Sequence, residues 1–209
     1  MKKTFYILIF VLTFYSCLNM NDPESQAKYI ECYNLFDKEL VDHFPSKLPN
    51  NQIGYGFSNP EYYSELRKYS DIPNHSDIYL TKKISSKEKY KELKKKYSKN
   101  AKYINASNSK CFSIIRTYET NIDNKYDTTC NELYPVPEFA IFEYGENNKN
   151  WIRIENGQII ILDFKSGNYT SSKKIKPNRE MPKEFQNGYS KGLTFNDQKQ
   201  TIEYWLIIW

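Results

Sequence analysis

The chain has 209 residues, 39% of them apolar and 26% charged, with a net charge of +5 and only 7 Gly and 9 Pro. That balance excludes a body embedded in a membrane and a disordered stalk, and it suits one well-buried domain. The unusual count is 19 Tyr; each buries a ring while its hydroxyl keeps a polar partner, which suits sheet faces and wet interfaces alike.

Residues 1–17 carry the grammar of an export signal. Lys2 and Lys3 form the positive start, Phe5 to Tyr15 the apolar run, and Ser16-Cys17 the boundary. The run fits a signal core of ~7–15 residues and falls short of the ~20 that a bilayer span takes. Ser16 is the small residue that a lipoprotein signal peptidase needs before the Cys. Residues 1–16 are therefore read as the signal, Cys17 as the lipidated residue, and 17–24 as that residue with a short tether. Phe14 and Tyr15 depart from the usual Leu and small residue. An unlipidated secreted protein and an uncleaved anchor are the alternatives. Leu18 offers no Asp as an inner-membrane retention signal, which favours the outer membrane, with the face open.

This signal, the bias to Asn, Lys, Ile and Tyr, and the C-terminal tail carry a family likeness. The tail is Phe185, Gly188-Tyr189-Ser190-Lys191-Gly192-Leu193 and Ile202-x-Tyr204-Trp205-Leu206-Ile207-Ile208-Trp209. It resembles uncharacterised lipoproteins of the Bacteroidetes-type envelope. The resemblance implies an envelope address and adds nothing on mechanism.

With Cys17 lipidated, Cys32, Cys111 and Cys130 remain, and an oxidising envelope allows one disulfide. Cys111 and Cys130 are the better pair, because Asn121, Asp123, Asn124 and Asp127 between them form turn material; Cys32 is then a thiol. Three separate buried thiols are the alternative. No C-x-x-C occurs, so neither a redox motif nor a Cys-rich zinc site has support.

In chain order, Ser25–Phe44 reads as a helix with Tyr29, Tyr33, Phe36, Leu40 and Phe44 on one stripe, widened by Ile30 and Val41 and stopped by Pro45. Residues 45–60 read as irregular. Asn59-Pro60 opens a short helix over Glu61–Tyr69. Asp77–Ile84 reads as a strand. Ser85 and Glu88 form a capping box for a helix to Tyr97, whose narrow stripe is Tyr90, Leu93 and Tyr97. Cys111–Tyr118 reads as a strand. Asn156-Gly157 is a strong hairpin signal between Trp151–Glu155 and Gln158–Phe164, which would set Ile154 opposite Ile159 and Ile152 opposite Ile161 on one core face. A second hairpin joins Tyr189–Phe195 to Gln200–Trp209 through a turn at 196–199. Its last strand is apolar on both faces and so belongs inside a sheet. The expected class is α+β: an antiparallel sheet with C-terminal hairpins, packed by N-terminal helices, as one domain over 25–209.

Chemistry is thinly signalled. Gly188 to Gly192 matches G-x-S-x-G, but strands follow it and no His comes after His75, so Ser190 has no general base. His43 and Cys32 fall on the same expected helix, about 16 Å apart along its axis, which is beyond any hydrogen bond. His75 reads as a loop residue. Asn121, Asp123 and Asp127 lack the Gly and Glu of a calcium loop. No three-ligand metal spacing and no phosphate-cradling Gly loop occurs, so no metal and no cofactor is expected. Carboxylates are plentiful, yet nothing locates a glycosidase pair. Lysines crowd 82–102; in an exported protein this reads as a solvated helix face, with phosphate-bearing lipid head groups as the remaining use and no nucleic acid as partner. The leading expectation is a non-enzymatic lipid-anchored module that binds a protein or glycan through its aromatic surface. The alternatives are an envelope immunity or inhibitor protein and a hydrolase with an unrecognised carboxylate site.

Overall fold

The computed structural model describes residues 23–61, 74–117, 130–144 and 151–209 except 171, 174 and 180. The signal, Cys17, most of the Glu61–Tyr69 helix, Tyr118, and Asn121, Asp123, Asn124 and Asp127 lie outside the described residues. Among them are three helices, α1 (Pro23–Tyr33), α2 (Lys38–Val41) and α3 (Lys87–Ser98). The ten strands are β1 (Gln52–Ser58), β2 (Ser76–Lys83), β3 (Tyr103–Ala106), β4 (Phe112–Ile115), β5 (Tyr134–Pro137), β6 (Phe142–Tyr144), β7 (Trp151–Arg153), β8 (Gly157–Ser166), β9 (Gly188–Asn196) and β10 (Thr201–Ile208). The class is α+β, built on a six-stranded antiparallel sheet ordered β1-β2-β10-β9-β8-β3.

The hairpin of β9 and β10 forms where the alternation places it, with Ile202 opposite Phe195 and Tyr204 opposite Leu193. Strand β10 lies between β2 and β9, and both of its faces are buried. Ile202, Tyr204, Leu206 and Ile208 join Ile78, Leu80, Leu193 and Phe195 beneath the helices. On the opposite face, Trp205 packs with Ile159 and Ile161 against Phe112, Val136 and Phe139–Phe142. The described helices thus cover one side; the other is covered by β4–β5, a parallel pair, and by β6–β7.

Four expectations are corrected. The Ser25–Phe44 helix is two helices, starting at Pro23 and broken between Tyr33 and Lys38, with Asp37 extended (φ −58°, ψ 135°). Asn34 and Asp37 offer the backbone alternatives to helix, and the break lets Phe36, Leu40 and Phe44 reach the sheet. Ile30 stays exposed. The 45–60 region contains β1, an edge strand whose Tyr55 and Phe57 face the helical core. Gly56 is required there, since a Cβ would sit 2.7 Å from the Tyr79 ring.

The cap of α3 is Ser86, not Ser85: its Oγ accepts from Lys89 N–H and donates to Glu88. Most consequentially, Asn156-Gly157 does not close a hairpin. A two-residue turn of that type needs positive φ at both residues, and only Asn156 (φ 54°) has it. Strand β7 pairs instead with β6, and β8 pairs with β3 and β9. The turn is a corner carrying the chain from the covering layer into the sheet. Ile152 is consequently 46% exposed, while Ile154, Ile159 and Ile161 are buried.

Candidate functional site

The side chains read first from the sequence prove structural. Ser190 is fully buried as the third residue of the interior strand β9, and its hydroxyl donates to the Pro135 carbonyl at 2.7 Å. It is neither the start of an exposed edge nor a strand-to-helix turn. His43, which follows the break in the first helix, is buried against Phe44 and Tyr204, and its Nε2–H donates to the Trp205 carbonyl at 3.1 Å. Burial pushes its imidazole below the usual histidine range. His75, in the bend just before β2, is buried beside Asp77, Nε2 to Oδ2 2.8 Å. Cys32 is a buried thiol, pushed up to about 12 chiefly by burial, which makes it a poor nucleophile. No group of three metal-binding side chains occurs among the described residues.

Two carboxylates do approach one another. Glu203 on β10 accepts from Thr81 Oγ1 at 2.9 Å, and burial, reinforced by the Glu143 carboxylate, pushes its carboxyl up to about 8. Glu143 is held by Lys199 at 2.6 Å. Two carboxyls set in different environments are the pattern of acid–base chemistry. Here Oε1 of Glu203 is buried and meets no partner among the described residues, and Oε2 accepts from Thr81.

The open chemistry lies along β3, at one margin of the sheet. Tyr103 on β3 stacks on Tyr134 of β5, ring centroids 3.4 Å apart and nearly parallel at 9°. Phe164 of β8 meets the edge of Tyr134 at 5.7 Å, and Phe185 continues the row at 6.2 Å. All four rings are half-buried. Lys102, paired with Asp163, lies 5.8 Å from the Phe164 ring. The hydroxyls at the row's head are anchored: Asn105 Nδ2 donates to Tyr103 at 2.6 Å, and Tyr134 donates to Glu132 at 2.7 Å. A disulfide joins Cys111 to Cys130, Cα atoms 5.6 Å apart, and the Cys111 carbonyl accepts from Tyr134 N–H at 3.0 Å. The bridge therefore ties down the backbone that enters Tyr134.

At the other end of β3 a cleft of about 680 Å³ opens between Ala106–Asn108 and Ile152–Gly157. Ser107 Oγ donates to the Ile154 carbonyl at 2.6 Å, which holds the corner in place. Arg153 Nη1 donates to the Ser107 carbonyl at 2.7 Å, and its guanidinium lies 4.8 Å from the Phe142 ring centroid. Among the described residues Arg153 meets no carboxylate. With Ile152 exposed beside it, the cleft offers a cation and an apolar surface together.

No local motif marks this margin. Its rings come from two strands of the sheet, one of the covering layer and a short turn, and the Tyr count alone pointed to it. Comparison with known proteins finds no matching family model, no matching curated protein and no matching solved structure.

Proposed function

We propose that this chain is a cell-envelope protein held to the outer membrane through lipid on Cys17, and that it acts without catalysis as a binding module for a protein or glycan partner. The observation that supports a binding role is the β3 margin: four half-buried rings at one end and, at the other, an Arg that meets no carboxylate among the described residues. Tyr and Arg dominate the energetics of captured partners because they bring large contact area at modest entropic cost. Leaving two stacked Tyr half in water forgoes burial worth about 25 cal/mol per Å², which a partner would recover.

The test is photocrosslinking in producing cells. A benzophenone amino acid in place of Tyr134 should give an adduct on irradiation, and the same group in place of exposed Lys87 should not. Mass spectrometry of the adduct then assigns the partner as polypeptide or polysaccharide. Equal yields at the two positions, or none at 134, would defeat the reading.

A further inference from the structure

The sheet position that should continue the buried row of Ile78 and Leu80 is occupied by Lys82. Its ammonium lies 4.8 Å from the Tyr204 ring centroid. Tyr204 packs edge-on against Tyr97 of α3, centroids 6.0 Å apart, and Lys96 lies 5.4 Å from the Tyr97 ring. Two ammonium groups therefore flank one pair of rings, one delivered by the sheet and one by the helix. Lys96 follows Leu93 by three residues and Lys89 by seven, so the two lysines lie together on the exposed flank of the Tyr90, Leu93 and Tyr97 stripe that meets the sheet.

Other lysines that lean on the body reach a carboxylate: Lys94 meets Asp197 at 2.8 Å, Lys191 meets Asp42 at 2.7 Å, and Lys199 meets Glu143 at 2.6 Å. Lys102 meets Asp163, and Lys89 meets Glu92 within its own helix. Among the described residues Lys82 and Lys96 meet none. The proximity has an electrostatic signature: burial, then the charges of Lys96 and Lys89, hold the Lys82 ammonium below its ordinary value. A half-buried cation pressed against like charges is destabilising until an anion arrives.

We infer that the seam between α3 and β2 binds a phosphate group between Lys82 and Lys96. A phosphate dianion matches two or three converging cations, and it has enough acceptor oxygens to bridge both ammonium groups. A carboxylate would satisfy one charge and leave the other. The ring pair beneath supplies an apolar floor, and its cation–π contacts hold the two ammonium groups over it while the site is open. The seam lies on the helical side of the sheet and is independent of the β3 margin.

The source of the phosphate is free anion or lipid head group, and one titration separates them. Protein purified in neutral detergent is followed by amide NMR at β2 and α3 during addition of inorganic phosphate, short-chain phosphatidic acid, or short-chain phosphatidylcholine. Sodium chloride is matched throughout. Saturable shifts at Lys82 and Lys96 with either phosphate or phosphatidic acid support the site and name its source. Lys82→Gln should weaken that binding about tenfold or more, the loss of one charge-assisted contact of 1.5–3 kcal/mol. Lys96→Gln, an exposed change that leaves packing intact, should weaken it likewise. Shifts that follow chloride equally, or persist undiminished in Lys96→Gln, would overturn the inference.

Discussion

A hydroxyl in the middle of a sheet is either bonded or costly, and Ser190 is bonded. Ser190→Ala would leave the Pro135 carbonyl facing a methyl group, at a cost of about 1–3 kcal/mol in urea unfolding. A fluorophosphonate probe should leave Ser190 unlabelled, since no imidazole meets it; labelling would revive the hydrolase reading. Glu203 gives a pH dependence of defined sign. Its folded value of about 8 lies above the 4.5 of an ordinary glutamate. Between those values the folded state keeps a proton that the unfolded chain has released, so stability from this group is full below about pH 4 and falls as pH rises toward 8. The slope is up to about 1.4 kcal/mol per pH unit. Glu203→Gln should flatten that decline between pH 5 and 8. An unchanged decline would assign it to other groups. At this scale the sequence could place residues on strands, as it does for Ser190. It could not tell that Glu203, one of many carboxylates, lies under a covering layer, because that layer comes from residues 112–153.

Elements were legible where one signal sufficed. Period-2 alternation located β2, β9 and β10, and Tyr55-x-Phe57 carries a shorter form of that signal for β1 among its glycines. Asn156-Gly157 misled because turn chemistry fixes a local bend and not which strands it joins. Pro135 and Pro137 argue against a strand, yet β5 forms as one half of a two-stranded pair, where a missing N–H can face outward. The Cys111–Cys130 bridge links β4 to the run leading into β5, so it shapes the element that carries Tyr134. Cys111→Ser with Cys130→Ser should lower stability by about 2–4 kcal/mol. Peptide mapping without reductant should recover the 111–130 pair, with Cys32 alkylated only after unfolding. A mapped pair containing Cys32 would refute that arrangement.

At the scale of the molecule, the two sides of the sheet have different duties. The helical side carries α1, whose first residue is Pro23, together with the Lys82–Lys96 seam; the covering layer and β3 carry the rings and Arg153. If Cys17 bears lipid, the chain from it to Pro23 spans at most about 20 Å at ~3.3–3.6 Å per residue. The start of α1 is then held close to the head groups. Two acyl chains anchor firmly, at about 0.8 kcal/mol per buried CH₂, where one would bind only marginally. Cys17→Ala should therefore abolish incorporation of radiolabelled fatty acid and move the protein out of the membrane fraction. A fluorophore on Glu24 should be quenched by head-group spin labels in the lipidated protein and not in Cys17→Ala. Quenching equal in both, or labelling that survives the substitution, would mean that the membrane is reached by another route. In that case the chain from Cys17 to Pro23 would no longer limit how the β3 margin is presented.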